Sequence, residues 1–131
     1  MAIERFEDID AWRAARDLVS RTYEVVARER FSRDFGLRDQ IQRAAVSVMA
    51  NIAEGFDSQT DRAFAQFLGY ALRSATEVQS HLYVALDQRY IDQKAFEELY
   101  GKVVIAKNLI HGFMRYLRNV EHSTQNLELR T

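Results

Sequence analysis

Read for the spacing of its apolar positions, the chain divides into four stretches with a period of three to four residues. From about Ile9 to Glu29, Trp12, Ala15, Leu18, Val19, Thr22, Tyr23 and Val26 fall on one face, and Arg13, Asp17, Ser20, Arg21, Glu24 and Arg28 on the other. Asp8 or Asp10 is placed to cap this first helix, where acidic residues also suit the helix dipole. Arg30 to Gly36 reads as a connector. A second helix is predicted from about Leu37 to Glu54, with Gly55 where a left-handed terminal residue is usually glycine. The third is predicted from about Asp61 to Arg89, capped by Thr60 or Asp61, with a core stripe running from Phe64 through Leu68, Ala75 and Val78 to Leu86. Asp92 caps a fourth, to about Asn119, with Phe96, Leu99, Val103, Ala106, Ile110, Phe113, Met114 and Leu117 inward. Residues from about 120 to 131 carry no clear stripe and read as a mobile tail. Short links between long helices favour antiparallel neighbours. The expectation is one all-α domain over residues 1–131, an antiparallel up-down-up-down four-helix bundle.

Two of these helices carry more apolar surface than one core needs. At about 100° per residue, Leu37, Ile41, Ala45, Val48 and Ile52 make one stripe on the second helix. Val46, Ala50 and Ala53 make another, nearly opposite, with Met49 between them. The fourth helix adds Ile105, Leu109 and Tyr116 beside its inward stripe, widening its apolar arc to roughly half the circumference. Contiguous apolar surface of this kind commonly marks a subunit interface, so a homo-oligomer is expected through these seven residues.

The polar positions of the second helix fall on one line, Gln40, Arg43, Ser47, Asn51 and Glu54. On the third helix Tyr70, Ser74, Glu77 and His81 share a face at spacings of four, three and four. Arg43 with Glu77 would be a natural pair between them. Buried polar groups need partners, at a cost of about 1–3 kcal/mol for each one left alone. The expected role is structural, a network that fixes helix register; a small-molecule site along Arg43, Asn51 and Glu54 is the competing role.

Composition sharpens this in three ways. The absence of proline, with only five glycines, leaves little to interrupt helices. The absence of cysteine excludes disulfides and thiolate metal sites and suits a cytoplasmic setting. No stretch approaches the roughly 18 apolar residues of a membrane span, and the interrupted, acidic start does not read as a signal peptide, so no membrane partner is expected.

Chemistry is sparse. Metal-holding bundles use paired Glu-x-x-His motifs, whereas Glu77 and His81 lie four apart and occur once. His111 and His122 have no ligand-like spacing to an inward carboxylate, no serine sits in a nucleophile elbow, and no phosphate loop follows a strand. No catalytic residue, metal or cofactor is assigned. The formal net charge of −1 makes the whole chain no polycation. From Leu99 through Val120, however, there are four basic residues and no acidic one. Lys107, His111, Arg115 and Arg118 lie within about 80° on the wheel, a stripe that would suit RNA or DNA. Arg28, Arg30, Arg33 and Arg38 alternate with Glu29, Asp34 and Asp39 and read as a solvated connector.

Leu37, Gln40, Arg43, Ala44, Ala45, Val46 and Ser47, followed by Asn51-Ile52-Ala53-Glu54-Gly55, carry a family resemblance. So do Phe6-Glu7-Asp8-Ile9, Trp12, Ser74 and Glu77. Over about residues 4–119 the chain resembles the bacterial four-helix-bundle proteins encoded in intervening sequences of large-subunit ribosomal RNA genes. The resemblance implies helical bundles that assemble into rings, often of five subunits, with no catalytic residues to transfer. A more distant relative is the accessory protein of diversity-generating retroelements, a basic pentamer that binds nucleic acid and a reverse transcriptase. The near-neutral charge here departs from it. The expected function is therefore a non-enzymatic homo-oligomeric scaffold or binding module, with a nucleic-acid-binding accessory protein as the alternative.

Overall fold

The computed structural model describes residues 3–130, with side chains described as far as Val120. The described residues form a 3-10 turn, Phe6–Asp8, and five helices with no strand between them. These are α1 (Asp10–Val26), α2 (Glu29–Arg33), α3 (Phe35–Asp57), α4 (Asp61–Asp87) and α5 (Gln93–Arg130).

Neither aspartate caps α1. Its N-cap is Ile9, whose side chain has nothing to donate or accept, and Asp10 lies inside the first turn. Asp8 is used one step earlier. Its carboxylate accepts the Glu4 N–H at 3.4 Å and the Arg5 Nε at 3.4 Å, closing the 3-10 turn. Partial burial raises the Asp8 pKa, but these bonds and the Arg5 charge outweigh it and hold the carboxyl below its ordinary value of 3.8.

The connector is more than a solvated link. α2 breaks it, and its Phe31 is fully buried, its ring 5.4 Å from that of Tyr90. A lone phenylalanine among arginines has no period, so pattern reading assigns it no face. Asp34 then caps α3, accepting the Leu37 N–H at 3.1 Å, two residues before the expected start. The same carboxylate accepts the Tyr90 hydroxyl at 3.0 Å, tying the head of α3 to the α4–α5 link.

Gly55 does not end α3. The helix continues to Asp57, and no glycine has a positive φ. Gly55 is buried where α3 meets α4: a Cβ there would lie 2.6 Å from a Phe64 ring carbon and 2.9 Å from the Phe67 Cβ. Glycine is required by closeness rather than by backbone conformation. Thr60 caps α4 through the Ala63 N–H at 3.0 Å, and Asp92 accepts the Ala95 N–H at 2.8 Å at the head of α5. Arg89, in the link between them, has a left-handed φ of 60°. The tail expected from about residue 120 falls mostly on side chains outside the described residues, and the backbone stays helical to Arg130.

The four long helices form a cycle of neighbours. α1 packs on α3 and α5, and α4 packs on the same two from the other side. Leu18, Ile41, Ile52, Leu68, Leu82, Leu99 and Ile110 fill the space between them, each essentially inaccessible to solvent. Full burial of such a side chain stabilises by about 1.5–3 kcal/mol. Thr22 is the one buried polar residue among those described, and its hydroxyl donates to the Leu18 carbonyl at 2.7 Å. Along the α1–α5 seam Lys102 meets Asp17 at 2.6 Å, and Arg21 meets Glu98 and Glu24.

Candidate functional site

Three features of the surface bear on function, and each corresponds to a pattern in the sequence. The polar line is brought together only in its middle. Ser74 donates to Ser47 at 2.8 Å between α4 and α3, and the Asn51 amide donates to the Ser47 carbonyl at 2.8 Å and hydroxyl at 3.0 Å. All three side chains are half-buried, so this small network sits where hydrogen bonds are least exposed to competition from water. The ends of the line stay apart. Gln40, Arg43 and Glu54 are exposed, and Arg43 does not reach Glu77. Glu77 lies instead 3.7 Å from His81 Nε2 on its own helix, beyond hydrogen-bond reach, which leaves that buried nitrogen without a hydrogen-bond partner. Tyr70 accepts from Gln66 at 2.9 Å, on the exposed side of α4.

The second feature is the excess apolar surface. Val46 on α3 is 39% exposed; Ile105, Leu109 and Tyr116 on α5 are 56%, 37% and 51% exposed. Met49 and Ala53 pack partly against the subunit's own core, and Ala50 is half-buried. α3 and α5 are diagonal in the helix cycle, so the two apolar arcs are separate patches. The α3 arc lines a shallow groove of about 650 Å³ with Tyr23 at its edge and Arg43 and Glu54 beside it. The α5 arc opens on a cleft of about 350 Å³ against the N-terminal segment, where Leu109, Phe113 and Tyr116 face Ile3 and Ile9, with Asp8 and Asp10 at the rim. Gly101 shares the α5 arc, and a Cβ on it would meet nothing within 4 Å.

The third feature is the basic stripe. Lys107 is half-buried and donates to Thr76 Oγ1 and Gln79 Oε1, each at 3.0 Å, so its charge faces neutral acceptors. His111, Arg115 and Arg118 are exposed. Pattern reading missed the aromatic cluster beside this stripe, because Tyr83 and Tyr100 come from different helices. Their rings lie 6.0 Å apart and share Phe96. At the far end, Arg30 lies over the Tyr90 ring and Arg38 over the exposed Phe35 ring. The bond to Asp34 raises the Tyr90 pKa above its ordinary 10.0, and the bond to Glu98 raises that of Arg21 further.

Among the described residues no group of histidine, aspartate and glutamate is arranged to hold a metal ion, and no helix is long and apolar enough to cross a membrane. The molecule is an all-helical protein built from a small packed core, with its distinctive chemistry on helix faces. Residues 7–112 match the family model of the 23S rRNA-intervening sequence protein, and the chain belongs to that family. Its fold is similar to a crystal structure of a protein of unknown function from the S23 ribosomal protein family of Bacteroides thetaiotaomicron. That likeness has a TM-score of 0.73 and 22% identity, covering 79% of this chain and 97% of the other. No curated protein matches the chain.

Proposed function

We propose that this chain is a non-catalytic, homo-oligomeric helical module. In this reading its long helices run up-down-up-down and its copies join head to tail into a cytoplasmic ring, five by family resemblance. The direction of the helices is supported by pairs whose numbers run in opposite senses. On α1 and α5 these are Asp17 with Lys102 and Arg21 with Glu98; on α4 and α5, Phe64 with Phe113 and Tyr83 with Tyr100.

One observation carries the assembly reading: large apolar side chains stand exposed on two diagonal helices, at Val46 and at Ile105, Leu109 and Tyr116. Two different patches suit a heterologous contact, which closes into a ring when the rotation between copies allows. Gly101 adds support. Glycine within a helix costs about 1 kcal/mol relative to alanine, and nothing inside the subunit crowds this position. A backbone approaching from outside would explain it. The Ser47–Asn51–Ser74 network then acts as the structural fastener of α3 to α4.

Light scattering on the purified protein tests this. The expected mass is a multiple of 15.3 kDa, falling to one subunit in the Ile105→Glu/Leu109→Glu variant. A wild-type monomer at micromolar concentration overturns it.

A further inference from the structure

The near-neutral total charge conceals an uneven distribution along the groove where α4 meets α5. On α5 no acidic residue occurs between Leu99 and Val120. On α4 the only acid between Asp61 and Asp87 is Glu77, which stands beside His81 on the face that carries Ser74 to α3. The groove itself is therefore free of carboxylates for the 22 residues of α5 from Leu99 to Val120, about 33 Å of helix.

The cations in this groove are not neutralised. Lys102, on the α1 side, has Asp17 as its counter-ion, but Lys107 is held by a hydroxyl and an amide, and among the described residues Arg115 and Arg118 meet no carboxylate. Tethering matters for Lys107. A lysine fixed by two neutral acceptors has lost much of its side-chain freedom while keeping its full charge. At the other end of the same groove Tyr83 is 51% exposed and leans on Tyr100 and Phe96, with Val104, 38% exposed, beside them. A row of uncompensated cations continuous with an exposed aromatic platform is the pairing that single-stranded nucleic acid needs. The cations track phosphates and the rings take bases.

From this we infer that the α4–α5 groove binds single-stranded nucleic acid. Phosphates lie along Lys107, Arg115 and Arg118, and a base stacks on Tyr83. The site lies within one subunit, so it stands independently of the assembly reading.

Fluorescence anisotropy with a labelled oligouridylate, titrated over a range of salt, tests the inference. Three phosphate contacts predict that the logarithm of affinity falls with the logarithm of salt at a slope near −2, from about −0.7 per contact on single strands. The Lys107→Gln/Arg115→Gln/Arg118→Gln variant should lose that slope and at least tenfold in affinity at low salt. Tyr83→Ala should bind about tenfold more weakly with the slope kept, since stacking is not electrostatic. Arg16→Gln/Arg28→Gln, which removes charge elsewhere, should bind as wild type. Arg115→Gln/Arg118→Gln touches only exposed side chains, so it keeps the test valid if the triple variant fails to fold; it should still flatten the slope. No binding at low salt overturns the inference, as does undiminished binding by the charge variants. Equal competition by polyglutamate also overturns it, because the groove would then be a docking face for acidic protein.

Discussion

A methyl group on Gly55 would press into the Phe64 ring and the Phe67 Cβ, whereas one on Gly101 would enter open space. The same substitution should therefore have opposite effects at the two positions. Gly55→Ala overpacks the α3–α4 contact, at about 1–3 kcal/mol, offset only in part by about 1 kcal/mol of helix propensity. Its urea midpoint should fall. Gly101→Ala receives the propensity gain without the clash, so an isolated subunit should gain up to about 1 kcal/mol. If copies do pack there, the methyl should weaken their association. The sequence marks Gly55 as special but suggests the wrong reason, a helix end. Only the three-dimensional approach of Phe64 and Phe67, nine and twelve residues later in the chain, reveals the right one.

At the level of the element, the α4–α5 link and the start of α3 are joined by a single carboxylate. Asp34→Ala removes the cap of α3, at about 0.5–2 kcal/mol, and also orphans the Tyr90 hydroxyl. Its pH signature is specific. The Tyr90 pKa is raised in the folded protein, so the native state holds the phenolic proton more tightly than the unfolded chain does. The stabilisation is present in full below the ordinary value of 10.0 and is lost as pH rises through the raised one. Denaturation midpoints should show an added alkaline loss that Tyr90→Phe abolishes. This joint was invisible in the sequence. Asp34 stood among alternating charges, and Tyr90 was 56 residues away. The long amphipathic helices were legible because period alone carries them. Thr60 and Asp92 were legible as caps because each immediately precedes its helix. α2 was not, since five residues are too few to show a period.

For the whole molecule, assembly and stability should be one measurement. If copies bind the folded subunit and not the unfolded chain, mass action raises the melting temperature with protein concentration. Calorimetry over a hundredfold dilution should show that rise in wild type and none in Ile105→Glu/Leu109→Glu. A concentration-independent melt in wild type would count against the ring. The packed core was legible, because a helix wheel counts faces directly. Of the surplus apolar arcs the one on α5 stands exposed, but on α3 Met49 and Ala53 turn partly to the subunit's own core and leave Val46 outside. The α4–α5 groove was legible only by half. Its cations share one helix, but Tyr83 joins them by tertiary packing alone.

The chain contains a single tryptophan, Trp12, and it is nearly buried, edge-on to Phe6 at 5.1 Å with the Arg16 guanidinium 5.8 Å from its ring centre. Phe6 belongs to the 3-10 turn that Asp8 closes, and the residues just before this indole, Ile9 to Ala11, line the cleft against α5. The protein thus has a built-in optical gauge: emission from one indole reports whether the N-terminal strap is seated, without any label. Because no second indole dilutes the signal, acid titration of Asp8 or filling of the neighbouring cleft can be followed as a change in colour or polarisation at one known address.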